Sequence, residues 1–147
     1  MALNVLSIQR GQDTGGQSIR LKWAFDHCAP EWTFRSMVRP NAFLYIQYPE
    51  DLTWHDARTE WAKADVVHLH NDFRTAHTMK QRGPEKPAVV HYHGSAFRAD
   101  QSPLVEQRRR GAIGLVSTLD LYLLAPDDLE WLPSPYDIDW LQSLREQ

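Results

Sequence analysis

The chain has 147 residues, 42% apolar and 24% charged, with a formal net charge of −3, the make-up of one globular domain rather than of a strongly basic nucleic-acid binder. Mean hydropathy is −0.53, and no apolar run reaches the roughly 18 residues that a membrane span needs. The single cysteine, Cys28, cannot close an internal disulfide, so a cytoplasmic location is expected.

Leu3–Ile8 is the first predicted strand, and the residues before it lack the basic n-region of a signal peptide. The loop after it carries Gly11, Gly15 and Gly16. Such a loop lets backbone approach a ligand and aims N–H groups at an anion. Its spacing is neither G-x-G-x-x-G nor a Walker loop, and a plain flexible turn is the alternative. A helix is predicted over Gln17–Cys28, then a strand over Thr33–Val38 and an aromatic run over Ala42–Tyr48. A short helix follows over His55–Ala64, with Thr53 as a candidate cap. Strands are predicted at Asp65–His70, Ala88–Tyr92, Ala112–Thr118 and Leu129–Leu132. Helices are predicted at Asp72–Arg82, stopped by Gly83-Pro84, at Leu104–Arg110, ended by Gly111, at Leu119–Leu124 and at Asp137–Arg145.

Strands that are apolar throughout and alternate with helices predict an α/β fold: a Rossmann-like, mostly parallel sheet with helices on both faces. Right-handed crossovers are expected, and ligands bind such sheets at the carboxyl ends of the strands. Residues 1–132 are expected to form this domain. Residues 133–147 read as a linker-like segment and a closing helix.

Two strands end in histidine pairs. His68 and His70 share one strand face, as do His91 and His93. If the strands are neighbours, His70 and His93 stand nearest the crevice and His68 and His91 lie deeper. Asn71 follows the first pair. Gly94-Ser95 follows the second and reads as the opening of a loop whose free N–H groups suit a phosphate or a sugar hydroxyl. Arg98 lies a few residues on, close to the expected crevice, while Arg108-Arg109-Arg110 closes a helix, where cations complement the helix dipole.

The order of these motifs resembles a known family. It is a strand, a loop ending in Gly15-Gly16 and a helix, then Ala64-Asp-Val-Val-His-Leu-His70, Lys86-Pro-Ala-Val-Val-His-Tyr-His-Gly-Ser95, Gly114-Leu-Val-Ser-Thr118 and Trp131-Leu-Pro-Ser-Pro-Tyr-Asp-Ile-Asp139. This is similar to the N-terminal, acceptor-side domain of a retaining glycosyltransferase of GT-B architecture, of the group-1/family-4 type, over nearly the whole chain. The resemblance implies transfer of a hexosyl group from a nucleotide-sugar to a hydroxyl acceptor, with no further cofactor. It implies that Gly15 and Gly16 face the donor's phosphate, and that His93 lines the reaction centre and contacts the transferred sugar. His70, Asn71, Gly94, Ser95 and Arg98 are then candidate substrate contacts. Tyr136 stands where that family usually has glycine. The donor-binding half of such an enzyme is expected from a separate subunit, or the chain is expected to act as a homodimer.

Two other classes compete. His68-x-His70-x-Asp72 opens a metallo-hydrolase signature, and His91 and His93 could complete a ligand set, but Phe73 stands where the next histidine belongs. No metal is therefore assigned. A non-catalytic module that binds a sugar, a nucleotide or a protein is the other alternative.

Overall fold

The structure is a computed structural model that describes residues 2–12, 17–39, 56–71, 73–80 and 83–133. In chain order the elements are β1 (Asn4–Gln12), α1 (Gln17–Cys28), β2 (Thr33–Arg39), α2 (Ala57–Lys63), β3 (Val66–His70), α3 (Arg74–Lys80), β4 (Ala88–Tyr92), α4 (Gly94–Ala99), α5 (Pro103–Arg110), β5 (Ile113–Val116), α6 (Leu119–Tyr122) and β6 (Leu129–Trp131). The six strands form one sheet in the order β2-β1-β3-β4-β5-β6, and every neighbouring pair is parallel. This is a doubly wound, Rossmann-like α/β fold. Expected and observed boundaries coincide for α1 and β4 and differ by a few residues elsewhere. Gly15, Gly16, the aromatic run at 42–48, Thr53 and the helix expected over 137–145 lie outside the described residues. No described helix is long and apolar enough to cross a membrane.

The chain steps from β1 outward to β2, then returns across β1 to β3 and continues the other way. Right-handed crossovers then place α1 on one face of the sheet and the later helices on the other. The packing agrees. Leu21 and Phe25 of α1 pack with Val5 and Phe34. Trp61, Ala76, Met79, Phe97, Leu104 and Leu121, from the five later helices, join Leu6, Ile8, Val67, Leu69, Val90, Tyr92 and Val116 in the main core.

Strand side chains alternate between faces. The residues between those core positions therefore point to the α1 side of the sheet, where Val5 and Phe34 are apolar but the positions beyond them toward the carboxyl edge are polar: Ser36, Ser7, His68, His70 and His91 are all buried. Register sets them side by side, with Ser7 opposite both Ser36 and His68, and His70 opposite His91. One face of the sheet is thus an apolar core, and the other carries a buried polar seam.

Two local features depart from expectation. β1 does not stop at Ile8 but continues to Gln12, and its pairing with β2 is irregular between Ile8 and Gln12. Gly94-Ser95 does not open a loop; it begins α4 directly. Gly94 takes a φ of 40°, which suits glycine. The Phe97 N–H donates to the His93 carbonyl at 3.3 Å, and Phe97 anchors the turn in the core. Six residues with one apolar anchor show too little periodicity to be read as a helix.

Candidate functional site

Doubly wound sheets bind ligands at the carboxyl ends of strands where the chain order switches direction. Here that point lies between β1 and β3. His70 ends β3, and His93 follows the last residue of β4 as the N-cap of α4. The two expected crevice histidines meet: His70 Nδ1 lies 2.7 Å from His93 Nε2.

Asn71 fixes this meeting. It adopts a φ of 64°, a left-handed conformation that asparagine tolerates better than most residues. Its N–H donates to the His91 carbonyl at 3.0 Å, and its Oδ1 accepts from the His93 N–H at 2.7 Å. A single side chain thereby ties the end of β3 to the end of β4.

The network continues inward. Ser7 Oγ lies 3.1 Å from His70 Nε2 and 3.0 Å from His68 Nδ1. His91 Nε2 lies 2.6 Å from Ser117 Oγ. The four imidazoles form one cluster, with the His91 and His93 ring centres 4.4 Å apart and those of His70 and His93 5.0 Å apart. Among the described residues, His68 Nε2, His91 Nδ1 and Ser36 Oγ are buried without a hydrogen-bond partner. Ser7 and Ser117 are the partners that sequence reasoning missed. A lone serine in or after a strand carries no motif, and Ser7 meets His68 only through a register spanning 61 residues.

Burial governs the charge of this cluster. Loss of hydration pushes the pKa of His68 down to about 3, with the nearby His93 adding to the effect. Burial followed by the neighbouring imidazoles pushes His91 down to about 2, and burial pushes His93 down to about 4. His70 is held well below the ordinary histidine range by burial and its three histidine neighbours. All four are neutral near pH 7. A neutral imidazole offers one donor and one acceptor, and a ring this reluctant to protonate is a weak general base there. The cluster is equipped to orient a ligand's hydroxyl, carbonyl or phosphate oxygen.

The remaining candidates fall around it. Gly94 and Ser95 form the first turn of α4, immediately after His93, with Ser95 exposed. Arg98, in the last turn, holds Asp120 Oδ2 through Nε at 3.0 Å and Nη2 at 2.5 Å. Both ring nitrogens of His70 are used inside the protein, so it supports His93. Arg109 pairs with Glu106 and Arg108 with Asp128, both arginines largely exposed, whereas the Arg110 side chain is largely buried over the Phe73 ring and also pairs with Glu106. Among the described residues, no group of three or more His, Cys, Asp or Glu side chains is placed to hold a metal ion.

Sequence reasoning also missed a groove of about 680 Å3 between α3, α4 and α5, lined among others by Asn71, Arg74, His77, Ala96 and Asp100. Asn71 borders this groove and also bonds His93, so the groove and the histidine cluster adjoin at the carboxyl edge. Comparison with protein-family models, with curated proteins and with solved structures finds no match to this chain.

Proposed function

We propose that this domain is the acceptor-side half of a glycosyltransferase, taking part in transfer of a hexosyl group from a nucleotide-sugar to a hydroxyl acceptor. The observation that carries the reading is the placement of His93: half-buried at the carboxyl edge of a doubly wound sheet, neutral, and held by both His70 and Asn71. A ring so fixed suits a sugar hydroxyl, which needs orientation more than it needs a strong base. The motif order and the strand–loop–helix frame add support at the level of fold, which alone does not fix function.

In this reading His93 orients the transferred sugar through hydrogen bonds. Departure of the diphosphate requires N–H groups and cations arranged in advance around the developing charge. Gly15 and Gly16 are the proposed N–H donors, and a donor-binding domain provides most of the cations. The reaction needs no cofactor beyond the donor substrate, and a cytoplasmic setting suits it.

The test is titration calorimetry and a sugar-transfer assay, with and without a donor-binding domain. The chain alone should bind a nucleotide-sugar at about millimolar strength or weaker, because contacts in an open half-site mostly replace contacts to water. With the second domain present, transfer should appear. Robust transfer by the chain alone would overturn the need for a partner. Ligand binding without transfer under any combination would identify a non-catalytic module instead.

A further inference from the structure

The hydrogen-bond chain from His68 through Ser7 and His70 to His93 constrains its own protons. Each of the three rings is neutral and carries one N–H. Ser7 has one O–H and faces two ring nitrogens, His68 Nδ1 and His70 Nε2. His70 Nδ1 and His93 Nε2, 2.7 Å apart, must share a single hydrogen between them.

Only two orders of donation satisfy the His70–His93 contact. In the first, His93 donates from Nε2 to His70 Nδ1. His70 must then carry its hydrogen on Nε2 and donate to Ser7. The Ser7 hydroxyl turns to His68 Nδ1, which leaves His68 with an N–H on Nε2, an atom that is buried and has no partner among the described residues. If His68 instead donates to Ser7, the Ser7 O–H has lost its acceptors. Either way a buried donor is stranded.

In the second order, His68 donates from Nδ1 to Ser7, Ser7 donates to His70 Nε2, and His70 donates from Nδ1 to His93 Nε2. Every N–H and O–H inside the chain then has an acceptor, and what is left over is one unused lone pair on His68. Stranded buried donors are rarer in proteins than under-used acceptors. The mild preference of free histidine for Nε2–H opposes this order and is the smaller effect.

We infer that His70 is a positioning residue that locks His93 in its Nδ1–H tautomer, so that the site presents a hydrogen-bond donor and takes an acceptor oxygen of its ligand. Nε2 of His93 is occupied by His70, which leaves Nδ1 as the ring nitrogen free to meet a ligand; it has no partner among the described residues. This excludes His93 as the base that deprotonates an acceptor hydroxyl, because its ligand-facing nitrogen has no lone pair to give. The inference rests on the proposal above only in taking His93 as the ligand-facing group.

The experiment is long-range 1H–15N correlation on the histidine-labelled chain near pH 7. Wild type should show His93 with its hydrogen on Nδ1, in excess over Nε2–H by about tenfold or more, the ratio set by one stranded donor. His70→Phe, which frees Nε2 of His93, should shift His93 toward Nε2–H. His70→Gln, whose amide can still donate, should restore Nδ1–H and serves as the folded comparison should the phenylalanine variant not fold. Adding UDP-glucose in large excess over the millimolar binding expected of the chain alone should move the His93 Nδ1–H resonance without changing the tautomer. His93 protonated on Nε2 in wild type, or unmoved in a folded His70→Phe, would overturn the lock. The expected tautomers with no response to UDP-glucose would uphold the lock and count against the glycosyl-transfer reading alone.

Discussion

The two faces of the sheet are built from alternate residues of the same strands, yet they serve different ends. One face is Leu6, Ile8, Val67, Leu69, Val90, Tyr92 and Val116, packed under five helices. The other sets Ser36, Ser7, His68, His70 and His91 side by side in a buried seam. Burying a leucine or valine stabilises a fold by about 1.5–3 kcal/mol, whereas burying a polar group is unfavourable until it is hydrogen-bonded. The apolar face therefore holds the domain together. The histidine face is bonded well enough to be tolerated, with His68 Nε2 and His91 Nδ1 left unsatisfied. A cluster that adds little to the fold and ends at the carboxyl edge is the one to which the proposed function assigns a ligand.

Acid should separate the faces most sharply. The histidines' folded pKa values lie below the ordinary 6.5, at about 3 for His68, about 2 for His91 and about 4 for His93. Below pH 6.5 the unfolded chain therefore binds more protons than the folded one. Stability is complete above that pH and falls as the pH drops toward the folded values, by about 1–2 kcal/mol per histidine between pH 7 and pH 5. Urea unfolding across that range should show a slope of several protons, and a flat profile would contradict the buried neutral cluster.

Next in size is the apolar face itself. Leu69→Ala should cost about 2–5 kcal/mol at pH 7 by leaving a cavity, measured as a drop in urea midpoint with unchanged m-value. His91→Phe, on the opposite face, should cost less, about 0–1.5 kcal/mol, because removal of the unsatisfied Nδ1 is offset by loss of the hydrogen bond from Nε2 to Ser117. It should also remove about one proton from the acid slope. Smallest of all, Arg98→Ala should leave the urea midpoint unmoved, since its pairing with Asp120 is exposed on both sides and such pairs contribute little.

The apolar face was largely legible in the sequence. Continuous runs such as Ala88-Val-Val-His-Tyr92 announce a strand covered on both sides, and Gly111, at a φ of 60°, ends α5 as a helix-terminating glycine should. The histidine pairs were visible as well, because a His-x-His spacing puts both rings on one strand face. The pairing of the two histidine strands was expected and is observed; what stayed hidden was the place of β1 beside them. That β1 and β3 are neighbours, and hence that Ser7 stands between His68 and His70, follows from a crossover that no local pattern records. Asn71 was visible as a residue but not as the brace for His93, since its role needs a positive φ and a partner 22 residues away. α4 was misread because a six-residue helix beginning with glycine looks like a loop.

The central claim is that His93 serves a ligand while the apolar face serves the fold, and the direct measurement is urea unfolding paired with sugar transfer for His93→Ala, in the presence of a donor-binding domain. Transfer should fall about 10- to 100-fold, as expected for loss of one or two orienting hydrogen bonds, while stability at pH 7 falls by about 1–2 kcal/mol, the cost of leaving His70 Nδ1 without its partner, and by less than in Leu69→Ala. Unchanged transfer with a stability loss as large as that of Leu69→Ala would show instead that the histidine face is part of the scaffold.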